Sequence, residues 1–176
     1  MSVREVLKMG DPLLYQRSVE VTEFDGKDLA KVLEDMFDTM EALDGVGLAA
    51  PQIGIPLRIV IFSVGQNPRY PDAESVPRTI LINPIIEPQS VDLETGWEGC
   101  LSVPGMRGLV ERHSSIIYSG YDETQRPIKR EATGFHSRVV QHEVDHLDGI
   151  VYPMRIKDIR NFGYESVLFD RDSDPQ

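Results

Sequence analysis

The segment Gln141-His142-Glu143-Val144-Asp145-His146 constrains this chain more than any other, because it sets two imidazoles and a carboxylate in a His-Glu-x-x-His pattern within a run of helical periodicity. Side chains four apart on a helix lie one above the other on the same face, so His142 and His146 can aim ring nitrogens at one divalent ion. Glu143 then stands beside that ion and can hold and deprotonate a water without being a ligand itself. The plainer alternative is two histidines that only satisfy local hydrogen bonds. The register favours the metal: Phe135, Val139, His142 and His146 follow spacings of 4, 3 and 4, so both histidines continue an apolar stripe that should face the core. Thr133 or Gly134 is expected to start this helix and Gly149 to end it.

The chain has 176 residues, enough for one domain over 1–176 with a substantial core, and its 40% apolar content is ordinary for a globular protein. Met1 to Asp11 mixes Arg4 and Lys8 with Glu5 and Asp11, and reads as neither a secretory signal nor a membrane anchor. A single cysteine, Cys100, excludes an internal disulfide framework and fits a reducing, cytoplasmic setting. The formal net charge of −11 argues against tight non-specific binding to nucleic acid, which depends on neutralising phosphates. No local basic patch stands out, and no membrane contact is expected.

Leu29, Val32, Leu33, Met36, Phe37, Met40 and Leu43 repeat at helical spacing and predict an amphipathic helix from about Gly26 to Asp44, with Lys27, Lys31, Glu34 and Asp35 on its solvated face. Leu57 to Phe62 and Ile80 to Ile82 read as strands, separated by an exposed loop from Gly65 to Arg78. Ser115 to Tyr121 and Pro127 to Thr133 read as a hairpin around Asp122-Glu123-Thr124, directly before the histidine helix. Strands dominate, two helices punctuate them and no regular alternation exists. That pattern predicts α+β architecture rather than a doubly wound sheet.

A catalytic metal usually takes a third protein ligand and keeps one position for water. Cys100, His113, His136 and many carboxylates are candidates, and periodicity does not choose among them. Local context favours Cys100, because three glycines and a proline in Gly96 to Gly105 make an irregular but rigid segment. A buried small hydrophobe is the alternative for a lone cysteine. In Gly45 to Gly54, glycines and alanines leave the backbone open to another chain, and the Gln52 amide could donate to an oxyanion. A tight turn is the plainer reading of that run.

Taken in order, these segments resemble peptide deformylase, whose Gly-x-Gly-x-Ala-Ala-x-Gln motif is matched at Gly45 to Gln52, Glu-Gly-Cys-Leu-Ser at Glu98 to Ser102, and Gln-His-Glu-x-Asp-His at Gln141 to His146. The resemblance spans about Met9 to Tyr152. It implies a metal-dependent hydrolase that removes the formyl group from the N-terminal methionine of newly made polypeptides. It also implies that Cys100, His142 and His146 hold the metal, with a water or hydroxide in the fourth position. Glu143 would act as general base and then acid, while the Gln52 amide and the Leu101 backbone N–H would stabilise the oxyanion. The family's usual ion is Fe²⁺, with Zn²⁺, Ni²⁺ or Co²⁺ able to replace it, and its strands wrap around a central metal-binding helix.

A formyl carbon carries only hydrogen, so a cramped site would exclude bulkier acyl groups by clash. Val46, Phe135, Val139 and the edge of His142, with Trp97, are expected walls of a methionine slot, and peptide backbone could pair around Val46 and Gly47. Arg107 corresponds to a position that contacts peptide in some family members, a surface charge being the alternative. Arg138 stands where many relatives are apolar. Tyr152 to Lys157 leads into a mixed segment and a polar tail, Asp170 to Gln176, expected to fray, in place of the basic C-terminal helix of the commoner bacterial pattern. Ribosome contact would therefore be transient, and a monomer is expected. Two other classes stay open: a peptidase with a third ligand other than Cys100, and a structural metal domain with a closed ligand set.

Overall fold

The computed structural model describes residues 2–65 and 75–169. Along the chain, helix α1 (Lys27–Ala42) leads into strand β1 (Gly47–Ala49), a 3-10 turn (Ala50–Ile53) and strand β2 (Ile59–Val64). Strands β3 (Val76–Pro88), β4 (Leu93–Cys100), β5 (Val103–His113), β6 (Ser115–Tyr121) and β7 (Pro127–Thr133) follow, then helix α2 (Gly134–Leu147). A 3-10 turn (Tyr152–Arg155), strand β8 (Phe162–Tyr164) and helix α3 (Glu165–Leu168) complete the described residues. The architecture is mixed, two antiparallel sheets with few helices: a five-stranded sheet in the order β1-β2-β3-β6-β7 and a three-stranded sheet in the order β4-β5-β8.

Strand β2 explains how the layers stack. Successive side chains on a strand point to opposite faces, and here both faces are covered. Ile59 and Ile61 pack with Leu29, Leu33, Met36, Phe37 and Met40 of α1. Val60, Phe62 and Val64 pack with Val139, Val140, Val144 and Leu147 of α2. A strand buried on both sides needs a near-continuous apolar run, which is what Ile59-Val60-Ile61-Phe62 supplies. A third, smaller cluster joins Cys100, Val103, Val110 and Tyr152 between the second sheet and the chain after α2.

Several expectations are corrected by tertiary packing. Asp35, read as part of a solvated face, is completely buried, because the N-terminal segment crosses α1 there. Arg4 Nε lies 2.7 Å and Lys31 Nζ 2.9 Å from its carboxylate, and the Arg4 backbone N–H donates to Thr39 Oγ1 at 2.8 Å. The loop expected from Gly65 to Arg78 ends sooner, since β3 begins at Val76, and the rest of that loop from residue 66 to 74 lies outside the described residues, as does the tail from residue 170. Gly96 to Gly105 is not an irregular segment but the hairpin of β4 and β5, with Gly96 opposite Val110 and Cys100 opposite Val103. Gly47 to Ala49, read as open backbone, is a buried edge strand paired to β2. No helix among the described residues is long and apolar enough to cross a membrane.

Helix α2 touches β1, β2, β3, β5, β6 and β7 and so lies between the sheets. Its exit is fixed by Gly149, whose φ of +74° is the left-handed conformation that follows many helix ends. A Cβ added to Gly149 would meet the Tyr15 carbonyl oxygen at 2.5 Å. Gly149→Ala should therefore destabilise the protein by at least ~1–3 kcal/mol, the usual strain at a left-handed position, measured as a lower midpoint in urea unfolding.

Candidate metal centre

Cys100 ends β4 and turns its sulfur toward α2, where His142 and His146 stand one helical turn apart. One donor atom from each of the three lies within 4.8 Å of the others, and Cys100 Sγ is 3.3 Å from His146 Nε2. The two imidazole centroids are 5.2 Å apart, and the Tyr152 ring stacks on His142 at 5.9 Å. The other two histidines go elsewhere. His113 Nδ1 lies 3.2 Å from the Ser90 carbonyl oxygen and His136 Nε2 lies 3.4 Å from the Tyr118 hydroxyl.

The donor set fits a divalent ion. His142 Nδ1 is 2.8 Å from Glu98 Oε2, which fixes the proton on Nδ1 and leaves Nε2 for the cluster. Burial alone would push the Cys100 thiol up, but the His146 and His142 imidazoles outweigh it and hold the thiol well below its ordinary range. A thiolate and two imidazoles suit Fe²⁺ or Zn²⁺. Glu143 is also buried, and its Oε2 has no hydrogen-bond partner among the described residues. An isolated buried carboxylate oxygen is costly unless something polar reaches it, so the centre has room for a polar group beside Glu143. Burial pushes that carboxyl up to about 7, against the pull of the two imidazoles. Gly47 makes the arrangement possible, since any Cβ there would collide with the Glu143 carboxylate.

Gln52 sits in the 3-10 turn after β1, buried. Its Oε1 accepts from the Ala49 N–H at 2.8 Å, so its Nε2 faces the centre and donates to Cys100 Sγ at 3.3 Å and Ser102 Oγ at 3.1 Å. Leu101, next to Cys100, lines the same cleft, and its carbonyl accepts from Lys8 Nζ at 3.0 Å. Val46, Gly47, Phe135, Val139 and Trp97 line that cleft together with Arg138. Arg107 does not. It is buried, its guanidinium packs where Gly99 lacks a side chain, and Glu165 of α3 pairs with it at 2.9 Å. It is therefore not a surface charge.

Sequence reasoning missed the buried ion network behind Cys100 and the two histidines. Glu98 accepts from Arg112 Nε and Nη2 at 2.9 Å each and from Arg138 Nη1 at 2.8 Å, in addition to His142. Arg112 also reaches Asp145, whose carboxylate is held from its other side by Arg155. Despite burial, His142 and Arg112 hold the Glu98 carboxyl below the usual carboxylate range. One signal was available. Residues two apart on a strand share a face, so reading β4 as a strand would have set Glu98 beside Cys100.

The sequence profile of polypeptide deformylase matches residues 3–162. Peptide deformylase 1 of Nitrosomonas europaea is 58% identical over 167 residues, 95% of each chain, and peptide deformylase 1 of Bordetella pertussis matches equally well. Among solved structures, the class I type b peptide deformylase from Acinetobacter baumannii bound to Met-Ala-Ser superimposes with a TM-score of 0.85 at 39% identity, covering 89% of this chain and 100% of that one. Peptide deformylase from Thermotoga maritima gives a TM-score of 0.80 at 35% identity, covering 90% and 100%. Motifs, fold and relatives agree over most of the length, and the chain belongs to the polypeptide deformylase family, enzymes that remove the N-formyl group from nascent polypeptides.

Proposed function

We propose that Cys100, His142 and His146 hold one divalent ion, and that Glu143, Gln52 and the Leu101 N–H carry out formyl hydrolysis beside it. The observation that supports this most is the convergence of three ligand atoms within 4.8 Å in the cleft where a buried Glu143 oxygen lacks a partner. When bound, the ion supplies a Lewis acid that makes water acidic enough to ionise near neutral pH. We assign Fe²⁺ on family resemblance, with Zn²⁺, Ni²⁺ or Co²⁺ as replacements that the same ligands accept.

Glu143 takes a proton from the attacking water, whose oxygen bonds to the formyl carbon. As the carbonyl π bond opens, its oxygen gains negative charge, and the Gln52 amide and Leu101 N–H are the donors for it. Gln52 is already oriented for this, because the Ala49 N–H holds its carbonyl end and turns Nε2 inward. The C–N bond then breaks, Glu143 returns its proton to the leaving amine, and formate departs. The peptide would lie along β1, which is an edge strand, pairing near Val46 and Gly47 with its first side chain among Val46, Phe135, Val139 and Trp97. The Met-Ala-Ser complex of the Acinetobacter relative supports a peptide in this cleft. We assign Arg107 to bracing Gly99 instead of contacting peptide.

We assign a monomer with a single catalytic domain, since one chain of this length supplies every residue placed in the reaction above. Nascent chains as substrate imply the cytoplasm and transient ribosome contact.

Three outcomes are expected. Glu143→Ala should keep its metal content, by elemental analysis after anaerobic purification, yet lose formate release from formyl-Met-Ala-Ser; retained turnover would remove the proton-transfer role. Gln52→Ala should lower kcat by about 10²- to 10³-fold with a smaller change in KM, by steady-state kinetics. Glu98→Ala should weaken metal binding by roughly 10- to 100-fold, read by competition with a chelator, because His142 loses its orienting partner.

A further inference from the structure

The cleft walls are mostly apolar, and among the described residues Arg138 is the one arginine or lysine lining them. Its guanidinium occupies space that only a glycine at position 96 leaves, since a Cβ there would approach its Cζ to 2.9 Å. It is also fixed in place. Nη1 donates to Glu98 Oε1 at 2.8 Å and to the Val110 carbonyl at 2.9 Å, with the Gly96 carbonyl at 3.5 Å, and Nη2 donates to the Glu94 carbonyl at 2.7 Å. Arginine carries five N–H donors. These bonds use both hydrogens of Nη1 and one of Nη2, so Nε–H and a second Nη2–H have no partner among the described residues. About 12% of the side chain remains exposed.

We propose that Arg138 is a specificity-determining residue whose spare donors let the side-chain slot accept a first residue ending in a hydrogen-bond acceptor, above all the sulfoxide oxygen of an oxidised formyl-methionine. This rests on the cleft being the peptide site. Methionine oxidation converts an apolar thioether into a polar, chiral group that an apolar slot rejects. A preorganised guanidinium changes that balance, because the sulfoxide oxygen gains a charged donor at no cost in ordering it. Formyl hydrolysis itself is unchanged, and the sulfoxide leaves on the product.

The test compares kcat/KM for formyl-Met(sulfoxide)-Ala-Ser and formyl-norleucine-Ala-Ser, which has similar length and no acceptor, on holoenzyme and on Arg138→Leu and Arg138→Lys. Because Arg138 also bonds Glu98, the readout is the ratio of the two substrates, which cancels any shared effect on rate. The sulfoxide-to-norleucine ratio should fall by roughly 10- to 100-fold in Arg138→Leu, the range for loss of a bond to a charged donor, and be partly restored in Arg138→Lys. An unchanged ratio overturns the inference. If Arg138→Leu fails to fold, competition by the products Met(sulfoxide)-Ala-Ser and norleucine-Ala-Ser on the wild-type enzyme decides: binding within about tenfold of each other supports the donor, and a sulfoxide peptide weaker by about a thousandfold overturns it. Formate released from formyl-Met-Ala-Ser with no sulfoxide tolerance sinks this inference alone, whereas no formate from any peptide would sink the assigned reaction with it.

Discussion

A buried carboxylate with four donors holds the centre together. Glu98 lies on β4, two residues before Cys100, and each of its oxygens accepts two hydrogen bonds, from Arg112 and Arg138 on one side and from Arg112 and His142 on the other. An unpaired charge at this depth would be prohibitive, and removing one partner of such a pair is typically more damaging than never having had it. The network therefore fixes three elements against one another. β4 brings the sulfur, α2 brings the imidazoles, and β5 supplies the arginine that links them. Through Arg112 the same frame reaches Asp145 and then Arg155, so the far side of α2 is tied down as well.

The apolar layers position that frame without taking part in the chemistry. With β2 sandwiched between α1 and α2, the depth of α2 is set by contacts that do not depend on Cys100 or the two histidines. Close approach then becomes a matter of small residues. Gly47 lets β1 pass against Glu143, Gly96 admits the Arg138 guanidinium, and Gly99 admits that of Arg107. The cleft is the gap left where the edge strands β1 and β4 meet α2, which puts β1, Cys100 and Glu143 around one small space.

Legibility followed periodicity. Helix α2 was readable because Phe135, Val139, His142 and His146 keep a 3.6-residue rhythm, and α1 because its apolar stripe does the same; their observed limits differ from expectation by a residue or two, as helix ends do. The β6 and β7 hairpin was readable from its turn, where Asp122 accepts from the Thr124 and Arg126 backbone N–H groups. The β4 and β5 hairpin was not. Its pairing shifts between Glu98 and Cys100, its inward positions include Glu98 and Arg112, and glycines interrupt it, so alternation of polar and apolar residues is lost. Asp35 was misread for a related reason: a helix wheel reports which face is polar, not whether the N-terminal segment later covers it.

By itself the sequence determined the pairing of two histidines with a glutamate on one helix, the chemistry available to them, and the motif set that marks the family. Those are local properties, carried by residues a few positions apart. Only the tertiary structure decided that Cys100 rather than His113 or His136 joins the histidines, that Glu98 stands behind His142, and that Arg107 is buried against Gly99 and paired with Glu165 while Arg138 lines the cleft. Each of these depends on strands distant in sequence packing against α2, and no local rhythm encodes which buried charges will meet once the sheets close over it.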